Sequence, residues 1–192
     1  MTTEKDAGID GMLAMLQHRD GLVRQKGRRA LTDLGRAAVP GLCRVLLTST
    51  SKDARWGAAK ALGEIGDPGA VPALLDALED RNSDVAWLAA SALNRLGRAA
   101  WKPVLQRLVE RGVDSVAVRD GVHHIFAGQK FDRHEELFAT VLRSLEFGEL
   151  DEAGSMAAAE ILKRMLNELW QECREIGAGE GGAADGSAGE KP

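Results

Sequence analysis

His123, His124 and His134, the last followed by Glu135, are the side chains best able to hold a metal in this chain. Imidazole and carboxylate are common ligands of transition metals. The spacing argues against such a site. Successive helical residues point about 100° apart, and a helical ligand pair needs i and i+4. His123 and His124 therefore cannot both face one ion, and no metal is expected. Asp120 precedes them by three and four residues, so a local contact from its carboxylate to the rings is expected instead. Cys43 and Cys173 are isolated thiols without metal or redox spacing and read as small hydrophobes. No phosphate loop, nucleophile elbow or paired acid cluster appears. The sequence favours a protein without catalysis, and no cofactor is expected.

Two other sets of residues suit binding. Between Gln17 and Arg44 lie Arg19, Arg24, Lys26, Arg28, Arg29, Arg36 and Arg44 against Asp20 and Asp33, a local charge of +5 in a chain of net charge −4. A face of that kind can bind a polyanion, and Arg24, Arg28 and Arg29 are the candidates; such binding falls steeply with salt. A solvated helix surface explains the same run. Trp56 and Trp87 form the second set. They stand 31 residues apart with small residues nearby, Ala59 and Gly63 near the first, Ala90 and Ser91 near the second. With helices stacked about 10 Å apart, both rings can line one groove, or each can fill space against the next helix. Arg55 and Lys60 flank the first ring and would give a groove its polar edge, which suits a carboxylate-bearing partner.

The spacing of 31 belongs to the whole chain. Sliding the sequence by that interval sets Arg24, Ala30, Leu31, Leu34 and Gly35 under Arg55, Ala61, Leu62, Ile65 and Gly66, and a second slide adds Ala92, Leu93, Leu96 and Gly97. Self-similarity at this period marks a helical repeat array. Asp20, Ser51 and Asn82 stand where each first helix begins and can cap its free N–H groups. The apolar stripe is Val23, Gly27, Ala30, Leu31, Leu34, then Ala54, Ala58, Ala61, Leu62, Ile65, then Val85, Ala89, Ala92, Leu93, Leu96. Gly35, Gly66 and Gly97 end these helices. Pro40, Pro72 and Pro103 open the second helices, whose inward residues are Leu42/Val45/Leu46, Leu74/Ala77/Leu78 and Leu105/Leu108/Val109.

Residues 53–80, DARWGAAKALGEIGDPGAVPALLDALED, resemble the short, Ala-rich HEAT repeat of phycobilisome-lyase-type proteins, through Ala54-Arg55, Ala58, Ala61-Leu62-Gly63, Ile65-Gly66-Asp67, Ala70-Val71-Pro72, Leu74 and Leu78. Residues 83–110 match with Ala86 in place of Arg55, and residues 20–48 with Gly27 and a shorter turn. The resemblance implies an all-α, right-handed superhelical solenoid. It does not select an activity, because the same repeat serves scaffolds, lyases and hydroxylases. His134-Glu135 is similar to the dyads of HEAT-type deoxyhypusine hydroxylases, which need several such pairs. HEAT-like alkylpurine glycosylases hold DNA in a basic concavity, whereas here the basic residues do not recur at Asp76 or Asp84.

The expected layout is a half-repeat cap over residues 1–19, an array of about four repeats over 20–148, a capping or dimerising helix over 149–176, and a disordered tail over 177–192. The fourth repeat pairs Ser115–Ala127, carrying Val116, Val122 and Ile125, with His134–Glu146. The last helix carries Leu162, Leu166, Leu169, Cys173 and Ile176 as a heptad seam, so the chain is expected to be a monomer or a homodimer through Asp151–Ile176. Aromatic content of 4% predicts a core of Ala, Leu and Val. No long apolar run suggests a membrane span, and the N-terminus lacks a secretion signal, which together predict a cytoplasmic protein. The functional expectation is an adaptor or scaffold that binds a protein or extended peptide. The alternatives are a bilin-lyase-like chromophore-handling protein and a nucleic-acid or other polyanion binder using the first repeat.

Overall fold

The computed structural model describes residues 4–113, 115–131, 134–146 and 150–179, and among them all regular structure is helical. The chain forms α1 (Glu4–Met15), α2 (Gly21–Leu34), α3 (Val39–Thr48), α4 (Lys52–Ile65), α5 (Val71–Asp76), α6 (Ser83–Leu96), α7 (Arg98–Arg111), α8 (Val116–Phe126), α9 (Glu135–Glu146) and α10 (Glu152–Gly179). The predicted caps start the first helices. Asp20 accepts from the Leu22 N–H at 2.8 Å, Ser51 from Ala54 at 3.3 Å and Asn82 from Val85 at 3.2 Å. Ser115 does the same for α8, accepting from Val118 at 3.2 Å. Each cap is worth about 1 kcal/mol. At the other end Gly66 sits at φ 68°, with Gly35 and Gly97 also at positive φ, where a side chain would meet its own backbone.

Helices α2, α4, α6 and α8 pack side by side as one layer, and α1, α3, α5 and α7 form the second. The predicted stripe joins them: Leu31, Ala54, Ala58, Ala61, Leu62, Val85, Ala89, Ala92 and Leu93 are buried. Small residues set the spacing. A Cβ placed on Gly63 would stand 3.0 Å from that of Ala92, so α4 and α6 touch almost backbone to backbone. Neither amphipathic helix of a repeat could bury its stripe alone.

The second helices vary more. Pro40 and Pro72 lie in the first turns of α3 and α5, each after a short 3₁₀ turn. In the third repeat that turn merges into α7, leaving Pro103 inside the helix. Continuous helix from Arg98 rotates the inward face, so Val104, Leu105 and Leu108 are buried while Val109 is exposed, contrary to the predicted set. Val116 is likewise exposed at the start of α8, and Val118, Val122, Ile125 and Phe126 take the inward positions.

The C-terminal end is built differently. Helix α10 packs on both α9 and α7. It buries Ala157, Ala158 and Ile161, with Leu162 and Met165 partly covered. Leu166 of the predicted seam is exposed: the contact face runs one step around from the heptad line. The side chains of Leu169, Cys173 and Ile176 lie outside the described residues, as does the expected tail beyond Gly179, and Gly177–Gly179 continue the helix. Where α7, α8 and α9 meet, an aromatic cluster joins the predicted aliphatic core. Phe131 stacks on Phe138 at 3.9 Å, and Trp101 and Phe126 reach Phe138 at 5.3 and 5.0 Å. Few aromatic residues exist, but they are concentrated here.

Candidate functional site

Arg55 is the residue whose position departs furthest from expectation. It is only 4% exposed. Its Nε and Nη2 donate to the two carboxylate oxygens of Asp80 at 2.6 and 3.0 Å, and Nη1 donates to the carbonyls of Ser49 and Thr50 at 3.0 and 3.2 Å. Arg24, one repeat earlier, donates likewise to the carbonyls of His18 and Arg19 at 2.8 and 2.9 Å. These carbonyls also lie 31 residues apart, so the recurring arginine is a brace for the loop that precedes its helix. Hydrogen bonding to Asp80 holds the Arg55 pKa above its usual value against the pull of burial. Burial alone would raise the Asp80 carboxyl. The Arg55 bonds, the Asn82 N–H and the charges of Arg55 and Arg81 outweigh it and hold the carboxyl below its usual range.

The two tryptophans are exposed, Trp56 by 37% and Trp87 by 54%. They turn to different neighbours. Trp56 borders a cleft of about 380 Å³ between α2 and α4, facing Arg24, Gln25 and Arg28 across it, with Leu16 and Gly57 also in the wall. Lys60, one turn along α4, places its Nζ 4.9 Å from the Trp56 ring centre, a cation–π contact. Trp87 is not part of that cleft. Its ring centre lies 4.1 Å from that of His124 on α8, and His124 Nε2 is 3.2 Å from Ser91 Oγ. Trp56 thus faces the α2 side of the layer and Trp87 the α8 side.

Three of the seven bases of the first repeat pair with acids of the second. Arg24 pairs with Asp53 at 3.1 Å, Arg28 with Glu64 at 2.8 Å and Arg36 with Asp67, while Arg44 reaches back to Asp10 at 3.2 Å. Arg29 is exposed. The sequence concealed this because the acids belong to a different repeat from the bases they meet.

The histidines are placed apart. Asp120 pairs with Arg119 at 2.8 Å instead of with either ring. His123 faces Glu146 at 3.9 Å, and His134 is buried with Nε2 3.6 Å from Glu168 on α10. Burial first, and the neighbouring His123 second, lower the His124 pKa and keep its ring neutral at pH 7. Among the described residues no three His, Cys, Asp or Glu side chains gather as a metal site. Burial first, then the Asp67 charge, raises the Cys43 thiol, which leaves it a poor nucleophile. No described helix is long and apolar enough to cross a membrane.

A family model of HEAT repeats matches residues 9–94 and 39–123. No curated protein gives a significant match. Among solved structures, the complex of CpcE and CpcF of phycocyanin lyase from Nostoc sp. PCC7120 contains a chain similar in fold, with a TM-score of 0.52 and 19% identity over 80% of this chain and 96% of that one.

Proposed function

Since the chain belongs to the HEAT-repeat family, we propose that it is a non-catalytic adaptor, holding a segment of another protein on the outer face of the α2–α4–α6–α8 layer through Trp56, Lys60 and Trp87. The observation that carries this reading is a pair of exposed tryptophans at one repeat position, the first beside a cleft. Tryptophan recurs among residues that dominate binding because it buries much area with little side-chain entropy to lose. Arg55 is left out of the contact set, since its donors are already spent. Pairing of Arg24 and Arg28 with acids favours a protein partner over a nucleic acid. The test is affinity capture from a lysate with the intact protein and with Trp56→Ala and Trp87→Ala. A partner held by the first and released by both variants supports the adaptor. Equal capture by all three refutes the surface. A bilin whose absorbance shifts with the intact protein, and not with Trp56→Ala, would replace the adaptor by chromophore handling.

A further inference from the structure

The cleft beside Trp56 has a composition that names its ligand more closely, on the premise that the layer is a docking surface. Its volume, about 380 Å³, falls within the range of roughly 300–1,000 Å³ typical of ligand sites, enough for one or two side chains. The wall carries three cationic side chains, Arg24, Arg28 and Lys60, against one acid, Asp53. Two of the cations are already committed. Arg24 pairs with Asp53 and donates from Nη1 to two backbone carbonyls, and Arg28 Nη1 holds both carboxylate oxygens of Glu64 at 2.8 and 2.9 Å. Lys60 has no carboxylate partner among the described residues, and its ammonium rests on the Trp56 ring. A partly exposed cation–π contact is weak and leaves the outer donors of the ammonium open. One uncompensated positive charge beside an indole and the buried Leu16 makes a composite site, polar on one side and apolar on the other.

We infer that this cleft receives an acidic segment of a partner protein, with one Asp or Glu carboxylate on the Lys60 ammonium and an adjoining apolar side chain on the Trp56 ring. A nucleic-acid backbone is the poorer fit, because successive phosphates need several unpaired cations and the two arginines are already neutralised.

A phage-displayed library of random 12-residue peptides, selected on the immobilised full chain, supplies the probe. The expected peptides carry an Asp or Glu next to an aliphatic or aromatic residue. The strongest one, made synthetically, should lose at least tenfold in affinity when its acid is replaced by the amide, and similarly against Lys60→Glu or Trp56→Ala. Exchanging its acid for lysine should restore binding to Lys60→Glu, whose circular dichroism should match the parent protein. Peptides that bind the parent and are indifferent to both the amide and Lys60→Glu overturn the inference while leaving the docking surface standing. Failure to enrich any peptide refutes the docking surface and the inference together. A 12-nucleotide single-stranded DNA that binds tightly and is released by Lys60→Glu assigns the cleft to a polyanion and overturns the inference as well.

Discussion

The first three repeats and the C-terminal end bury their helices with opposite materials. In the array, α4 meets α6 through Gly63 and Ala92, and Ala54, Ala58 and Ala61 fill the rest. Side chains this small hold little apolar area each, so backbones come close and polar ties add direction, Arg24 to Asp53 and Arg28 to Glu64 between repeats and Arg55 to Asp80 within one. At the end, α7, α8 and α9 bring together Trp101, Phe126, Phe131 and Phe138. Large rings bury more area per residue. The array is thus uniform and extensible, and the end is a plug.

The largest effects should come from the strongest tie in each region. Phe138→Ala should cost about 3–5 kcal/mol through the cavity it leaves. Arg55→Ala should cost a similar 3–5 kcal/mol, because the Asp80 carboxylate would lose both guanidinium bonds and keep only the Asn82 N–H. Urea unfolding gives both magnitudes, and hydrogen exchange separates the regions. Phe138→Ala should speed exchange in α9 and α10 and spare α2–α4, since each repeat contacts only its neighbours; Arg55→Ala should do the reverse. Uniform acceleration in both would show one cooperative unit and dissolve the distinction.

Gly63→Leu should come next, at about 1–3 kcal/mol, by forcing α4 and α6 apart. An unchanged urea midpoint would mean that the small-residue contact is not tight. Smaller again is a pH effect confined to the array. The Asp80 carboxyl is held below its usual range, so the stability it contributes is complete above the unfolded value of about 3.9 and is lost as pH falls through the lower folded value. Acid titration of stability should therefore be shallower in Asp80→Asn below about pH 4. The same slope in both proteins would place the acid sensitivity elsewhere.

How much of this was legible follows the same divide. Period, caps, glycine stops and the inward stripe could be read because each is a local rule repeated every 31 residues. Arg55 was misread although the signal was present: Arg24 stands one period before it, and a position repeated in register is more often a fold requirement than a site. The pairs of Arg24, Arg28 and Arg36 were hidden because each joins two repeats. The aromatic plug was invisible because Trp101, Phe126, Phe131 and Phe138 follow no shared period and meet only where α7, α8 and α9 come together.

The smallest stability effect should come from the residues with the most to do. Trp101 is buried in the plug, and Trp101→Ala should cost about 3–5 kcal/mol. Trp56 and Trp87 project from the outer layer, so replacing either with Ala should cost the fold less than about 1 kcal/mol, as at other exposed positions. Fluorescence checks this without a partner. In a protein carrying Trp101→Phe and Trp170→Phe, the two remaining rings should emit at long wavelength and be quenched by iodide. Trp56, covered on one side by Lys60 and the cleft wall, should be quenched less than Trp87, which is the more exposed. Removing the ring beside Trp87 with His124→Ala should widen that gap. Blue-shifted emission that resists iodide would mean that both rings are core. The outer layer would then be packed like the plug, and no docking face would remain.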